Sequence, residues 1–373
     1  MELDLTDEQK MLADAVKSLL DKRYDANSRL QLLEGDGEGW SRELWKQYAD
    51  LGLLGLIFDE QYGGAGMGVG ELAVVMEQFG RALILEPFVA TVVLGGALVA
   101  AAGTPEQKQS LLPGVAAGEA LLAFACTETG SRWSLTDIAT TATPDGDSWT
   151  LDGEKIAVLG GDVADHLLVT AKTPDGVVGL FLVAAADVQR DAYKLQDGLG
   201  GADVLLRGTS AQAVGAPGEA LAAIEGVLDV ATAVLCSEAV GAMDRMLWLT
   251  VDYLKTRVQF GQPISVFQAL QFRAADMFVS LEQARSMSML AQRALADDDV
   301  TERRRQVQAA KIQVDLSSRE VGQDAIQLHG GIGMTMEYPV GHYFKRVSVI
   351  AKTFADMDTL LESVGSGGGL IKE

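Results

Sequence analysis

Histidine and cysteine are scarce in this 373-residue chain, with 3 of the first and 2 of the second. Cys126 and Cys236 lack C-x-x-C spacing, so neither a disulfide framework nor a thiolate metal site is indicated. His166, His329 and His342 are too scattered to build a metal cluster. Positive charge is also short: 30 Lys and Arg stand against 52 Asp and Glu, a formal net charge of -22. A phosphate polymer or an anionic membrane surface would be repelled by most of such a protein, so no nucleic acid and no membrane partner is expected. Local basic spots remain at Lys255, Arg257 and Arg273, and at Lys345-Arg346. The most apolar run, Phe88 to Ala102, falls short of the ~20 residues a spanning helix needs, and its glycines and alanines suit a buried helix. No G-x-G-x-x-G follows a strand, which leaves a Rossmann nucleotide domain unsupported. Met1 leads straight into the capping-box pattern Thr6-Asp-Glu-Gln9, leaving no room for a signal peptide, and a cytoplasmic location is expected.

What is present is periodic apolar spacing over a length that can bury a large core in two or three regions. From Thr6 to about Leu122 the pattern is helical; Met11, Leu12, Ala15, Val16, Leu19 and Leu20 share one helix face and read as core. Between Ala123 and about Glu219 the period shortens. Trp149 and Leu151 alternate up to an Asp152-Gly153 turn signal, and the runs Leu167–Val169 and Val177–Val183 are separated by Pro174-Asp-Gly176. This predicts a compact antiparallel β region. From about Ile224 the chain is helical again, and Leu270, Ala274, Met277, Leu281, Ala284 and Ser288 form a four-three seam suited to a helix bundle. The last helical stretch is expected to end near Thr359 to Val364, with Gly365–Gly369 as a frayed tail. The expected fold class is α+β and mostly helical: an N-terminal helical domain over 1–122, a middle antiparallel, barrel-like β domain over 123–223, and a C-terminal four-helix bundle over 224–373.

Two segments carry more information than the rest, Tyr253-Leu-Lys-Thr-Arg-Val-Gln-Phe-Gly-Gln-Pro-Ile264 and Gln327-Leu-His-Gly-Gly-Ile-Gly-Met-Thr-Met-Glu-Tyr-Pro339. Arg257 offers a planar fork of donors to an anion, and Gly330-Gly331 allows backbone amides to approach a ligand with no Cβ in the way. Alone, either segment reads as a surface arginine or a helix-ending turn. In this order, and joined by a long helical stretch, they resemble the flavin-cradling signatures of the acyl-CoA dehydrogenase family. Leu5–Gln9, Leu51–Leu56, Glu60–Gly64 and Gly103–Lys108 are similar to further pieces of that family's pattern, so the resemblance covers nearly the whole chain. It implies FAD as cofactor, gripped across a subunit boundary by Arg257, Phe260, Gln268, Gln327, Gly330 and Gly331, with Thr127 on the β side. It also implies an acyl-CoA thioester as substrate, oxidised to its 2,3-enoyl form, and an electron-transfer flavoprotein or similar electron acceptor.

The chain departs from that pattern where a base is needed. Members usually place a glutamate in a Y-E-G-T segment, and this chain reads Phe354-Ala-Asp-Met357, with Ala355 at the glutamate position. The other family position for a base falls near Ala231 or Thr232. The catalytic residue is therefore unknown, with Asp356 and Glu238 as weak candidates. The family's T-E-P-G-x-G-S-D loop appears as Thr127–Ser134, keeping Thr127, Glu128 and Gly130, and its W-I-T-N-G strand appears as Ala157-Val-Leu-Gly-Gly161. Trp to Ala removes a large stacking face. Residues that would hold this chain's own flavin ring are lost while those reaching across are kept. That pattern resembles the small subunits of heteromeric members such as pimeloyl-CoA dehydrogenases, notably at Leu281–Met287 and Pro339–Arg346. It implies a paralogous partner subunit that supplies the catalytic glutamate, an α2β2 assembly, and a dicarboxylic, fatty or steroid side-chain acyl group. Two alternatives stand beside it: a homomeric dehydrogenase or diverged flavoenzyme of the same fold using Asp356 or Glu238, and a non-catalytic subunit that stabilises its partner.

Overall fold

Thr6 starts the first helix as its sequence predicts. Its hydroxyl accepts the Gln9 amide at 3.1 Å and the Gln9 side chain accepts the Thr6 amide at 3.1 Å, satisfying two donors that a helix start leaves free. The computed structural model describes residues 5–35, 37–131 and 133–366. In chain order the helices α1 (Asp7–Arg23), α2 (Ala26–Glu34), α3 (Arg42–Asp50) and α4 (Val69–Ala82) lead to a π-helical segment, Val89–Gly96, that runs on into α5 (Ala97–Ala102) and is followed by α6 (Pro105–Ala116). Strands follow: β1 (Leu122–Ala125), β2 (Thr141–Asp145), β3 (Ser148–Leu159), β4 (His166–Lys172), β5 (Val178–Ala184), β6 (Gln189–Lys194) and β7 (Gly200–Ala213). The long α7 (Ala220–Thr256) precedes a two-stranded hairpin, β8 (Val258–Gln259) and β9 (Gln262–Pro263), then α8 (Gln268–Ala294), α9 (Val300–His329), α10 (Val340–Ile350) and α11 (Met357–Ser366). Gly365 and Ser366 thus belong to α11, and the rest of the expected tail lies outside the described residues.

Two compact units divide the chain. One comprises Leu30–Gly68 and Leu85–Ala231. Its strands close on themselves: β4 pairs with β5, β5 with β7, β7 with β3, β3 with β2, and β2 meets β4 again, while β1 adds to β4 and β6 to β7. Inward-facing Leu151, Leu167, Val169, Phe181, Val204 and Leu206 fill the interior, and the Trp149 ring lies tilted on Phe181 at 5.3 Å. Most of these pairings are antiparallel, as expected, and β4 departs from the pattern by running parallel to β1 and β2. Asp152-Gly153 makes no hairpin turn. β3 runs straight through it with a register shift against β7, Gly153 taking φ +156° at this bulge, and the β2–β3 turn falls at Gly146-Asp147 instead. The Pro174-Asp-Gly176 turn lies where expected, between β4 and β5. The apolar run Phe88–Ala102 is a buried helix, with Gly95 packed so closely on Leu122 that a Cβ would overlap it.

The other unit holds the described residues up to Arg29, Val69–Ile84, and the chain from Thr232. α8 and α9 lie side by side, and the expected seam is buried in α8 at Met277, Leu281, Ala284 and Ser288, continued by Ala291 against Ala233 and Ala310, while Leu270 and Ala274 at its start are only half-buried. Small residues allow α4 and α7 to cross at backbone distance: a Cβ on Gly80 would overlap the Glu238 carbonyl, and one on Gly241 the Glu77 carbonyl. On α1 the core stripe is narrower than expected, with Val16 and Leu20 buried but Met11 73% exposed. Pro217–Thr256 is long and apolar enough to cross a membrane by length and composition, yet 56% of its most apolar window is buried within the protein, as in any long core helix.

Candidate functional site

The segment after α7 is an exposed arm. Arg257 donates its amide to the Tyr253 carbonyl at 2.8 Å, and its own carbonyl accepts the Ile264 amide at 2.9 Å, closing the β8–β9 hairpin. The two-residue turn, Phe260-Gly261, has φ +55° and +78°, the double left-handed geometry that matches strand twist in a tight hairpin. Glycine and asparagine suit such positions; a phenylalanine there is strained. At this tip the Phe260 ring is 90% exposed and meets the Phe267 ring edge-on at 6.0 Å. Arg257 and Gln268 are exposed as well, and among the described residues no ion pair engages Arg257. Arg273, in contrast, pairs with Asp324 at 3.6 Å.

The second segment ends α9. Gly330 takes φ +63°, closed to side chains, and its amide caps the helix on the Gln327 and Ile326 carbonyls. Gly331 needs no special backbone angle, and a Cβ built on it would meet nothing within 4 Å. Nothing inside the described chain asks for glycine at that exposed position, which suits close approach by a group from outside. Just before the turn, His329 is 3% exposed, its ring stacked on Tyr253 at 4.6 Å and tilted on Tyr338 at 4.7 Å. Its Nδ1–H donates to the Ala325 carbonyl at 2.7 Å, leaving the buried Nε2 without a hydrogen-bond partner among the described residues. Burial pushes this imidazole below its ordinary pKa. The end of α7 and the end of α9 are thereby joined through aromatic rings, which brings the two sequence motifs to one unit.

On the β side, Glu128, kept from the expected flavin loop, is committed to internal structure, while Gly130 stays exposed. Glu128 is buried, and its carboxylate accepts Lys155 Nζ at 2.6 Å, the Thr140 hydroxyl at 2.6 Å, and the amides of Ala139 at 2.5 Å and Thr140 at 3.1 Å. Burial opposes its charge, but the bonds from Lys155 and Thr140 outweigh that and hold it below the usual carboxylate range. The Thr127 carbonyl accepts the Ile156 amide at 2.9 Å. Ala157 lies exposed at a bulge with φ +51°, and its amide donates to Tyr193 Oη at 3.1 Å and Asp203 Oδ1 at 3.0 Å. No ring and no hydroxyl projects from Ala157-Val-Leu159.

The carboxylates proposed as bases are engaged too. Asp356 starts α11, accepting the Thr359 amide at 3.0 Å and hydroxyl at 2.8 Å. Glu238 is 4% exposed and binds Arg346 through two bonds of 2.5 and 2.7 Å. Arg346 is therefore no surface basic spot, contrary to the reading of Lys345-Arg346. Sequence reasoning also missed Glu86, a lone carboxyl in an apolar run. It is 3% exposed, accepts the Ser41 amide at 3.2 Å through Oε1, and is raised by burial to about 7. A single acid between Leu85 and Pro87-Phe88 was the available signal.

Comparison with known proteins matches three successive family descriptions: acyl-CoA dehydrogenase N-terminal domain over residues 6–119, middle domain over 123–205 and C-terminal domain over 220–353. The acyl-CoA dehydrogenase FadE12 of Mycobacterium tuberculosis is 34% identical over 315 residues, covering 80% of each chain. Among solved structures, a variant of the Tcur3481-Tcur3483 steroid ACAD superposes with a TM-score of 0.86 at 32% identity, covering 96% of this chain and 97% of that one. The ChsE4-ChsE5 complex from Mycobacterium tuberculosis gives 0.89 at 26% identity, covering 100% of both.

Proposed function

Because the chain belongs to the acyl-CoA dehydrogenase family and is an oxidoreductase of that kind, we propose that it works as one subunit of an FAD-dependent heteromer whose paralogous partner carries the base. The observation that carries this reading is the contrast between its two sets of flavin residues. Arg257, Phe260, Gln268, Gln327, Gly330 and Gly331 are all exposed, with anion-binding and ring-contacting chemistry turned outward. Ala157, Leu159 and Ala355 leave the other set without a stacking ring, a hydroxyl or a base. Two of the similar structures each bear the names of a pair of proteins, in line with a heteromer. Exposed apolar residues on α8, Phe272 at 64%, Phe278 at 49% and Val279 at 53%, support a subunit contact there.

FAD, when bound, supplies acceptance of hydride from the β-carbon of an acyl-CoA thioester. This chain's part would be to hold the cofactor that the partner's β domain orients: the Arg257 guanidinium would bind pyrophosphate oxygens, Gln268 and Gln327 would offer polar groups, and the Gly330-Gly331 amides would allow close approach without a Cβ between. Phe260, exposed at the hairpin tip, would cover the cofactor and keep water from its polar groups. The α-proton goes to the partner's carboxylate, since in this chain Glu238 is tied to Arg346 and Asp356 caps a helix. The partners in this reading are an electron-transfer flavoprotein or similar acceptor and a fatty, dicarboxylic or steroid side-chain acyl-CoA.

One complete site per heterodimer follows, hence an α2β2 assembly with two FAD rather than four. Native mass spectrometry of the co-expressed pair, with flavin quantified by absorbance, tests it. Two flavins per tetramer and a colourless isolated chain are expected; four flavins, or a flavin-loaded homotetramer of this chain, would refute the reading.

A further inference from the structure

We propose that His329 is a positioning residue that sets the Gly330-Gly331 turn in register with the Arg257 arm, so that the two act on FAD as one surface. This rests on the flavin role of those segments proposed above. The arm begins one helical turn after Tyr253, to whose carbonyl the Arg257 amide is bonded, and the turn begins at the residue after His329. His329 is the ring shared by both: it stacks on Tyr253 at 30° between planes and meets Tyr338, beyond the turn, at 50°. Tyr253 and Tyr338 also meet each other edge-on at 6.1 Å, so three rings close around the base of both segments. The Nδ1–H bond to Ala325 fixes the imidazole's rotation on α9, which makes the stack directional rather than adaptable packing. Each segment is exposed at its tip, so a shared, buried ring at their common base is suited to keep a charged fork and a pair of open amides at a constant separation.

FAD affinity reads this out directly, by flavin fluorescence on titrating the purified, deflavinated assembly. His329→Ala is expected to weaken FAD roughly tenfold, and His329→Phe, which keeps a ring between the tyrosines, to recover to within about threefold of wild type. Arg257→Ala, losing charge-assisted bonds to phosphate, is expected to weaken FAD about tenfold to a hundredfold. If His329 acts through the arm, His329→Ala added to Arg257→Ala weakens binding little further; fully additive losses would indicate a separate structural role and overturn the proposal. Normal affinity in His329→Ala while Arg257→Ala is impaired overturns it as well, and so does a His329→Phe no better than His329→Ala. Unchanged affinity in Arg257→Ala overturns instead the flavin role beneath it. Should His329→Ala fail to assemble, Tyr338→Leu removes one face of the stack from outside the helix; a loss of threefold or more is expected, and none would sink the proposal.

Discussion

Carboxylates in this chain are placed by their partners, and the partners decide what each can do. Glu238 and Arg346 form a bidentate pair in a nearly dry setting, so removing the Glu238 charge breaks a buried ion pair and weakens both of its charge-assisted bonds. Glu238→Gln should therefore lower stability by about 3–5 kcal/mol, seen as a shifted denaturant midpoint, whereas a general base would show a loss of turnover at unchanged stability. Asp356→Asn is expected to keep turnover of the assembly within a few-fold, because asparagine also caps helices. A true base contributes ~10²–10⁴-fold, so a hundredfold loss with FAD content intact would return catalysis to this chain.

Among the elements, α8 divides its labour by face. Met277, Leu281, Ala284 and Ser288 seat it in its own unit, while Phe272 and Val279, two turns apart, lie on a face left in water. Fully burying such side chains contributes roughly 1.5–3 kcal/mol each, so the proposed assembly should depend on them. Phe272→Asp with Val279→Asp should leave the far-ultraviolet circular dichroism of the isolated chain unchanged and lower its association with the partner at least a hundredfold in analytical ultracentrifugation. An assembly of undiminished stability would remove α8 from the contact. The seam was legible because four-three spacing survives any tertiary context. The α8 outer face was not, since exposed apolar residues look the same in sequence as buried ones.

For the molecule as a whole, acidity has two sources. One is the formal charge of -22; the other is Glu86, a buried carboxyl whose folded pKa of about 7 stands above the ordinary 4.5. Between those values the folded state holds a proton that the unfolded chain gives up. The stability this proton contributes is therefore complete below about pH 4.5, declines as pH rises, and is gone above 7. The span corresponds to on the order of 3 kcal/mol. Glu86→Gln, which stays neutral, should flatten the fall in thermal midpoint from pH 5 to pH 8 and be the more stable form at pH 8. Parallel profiles for the two proteins would show that Glu86 does not titrate in this range.

By itself the sequence determined the helix, strand, helix order, the Thr6 cap, the buried Phe88–Ala102 run and the two flavin-like motifs, because caps, periodicity and glycine spacing are local and act within a few residues of themselves. It misjudged Asp152-Gly153 because a bulge and a turn use the same residues, and only pairing of β3 with β7 separates them. The tertiary structure alone decided that Glu238 meets Arg346, that Glu128 meets Lys155, that Glu86 is buried against the Ser41 amide, and that Tyr253, His329 and Tyr338 form one stack. Those are encounters between residues 9 to 108 positions apart in their closest and farthest cases. Charge and aromaticity are visible in a sequence, but desolvation and partnership arise only when distant segments exclude water together.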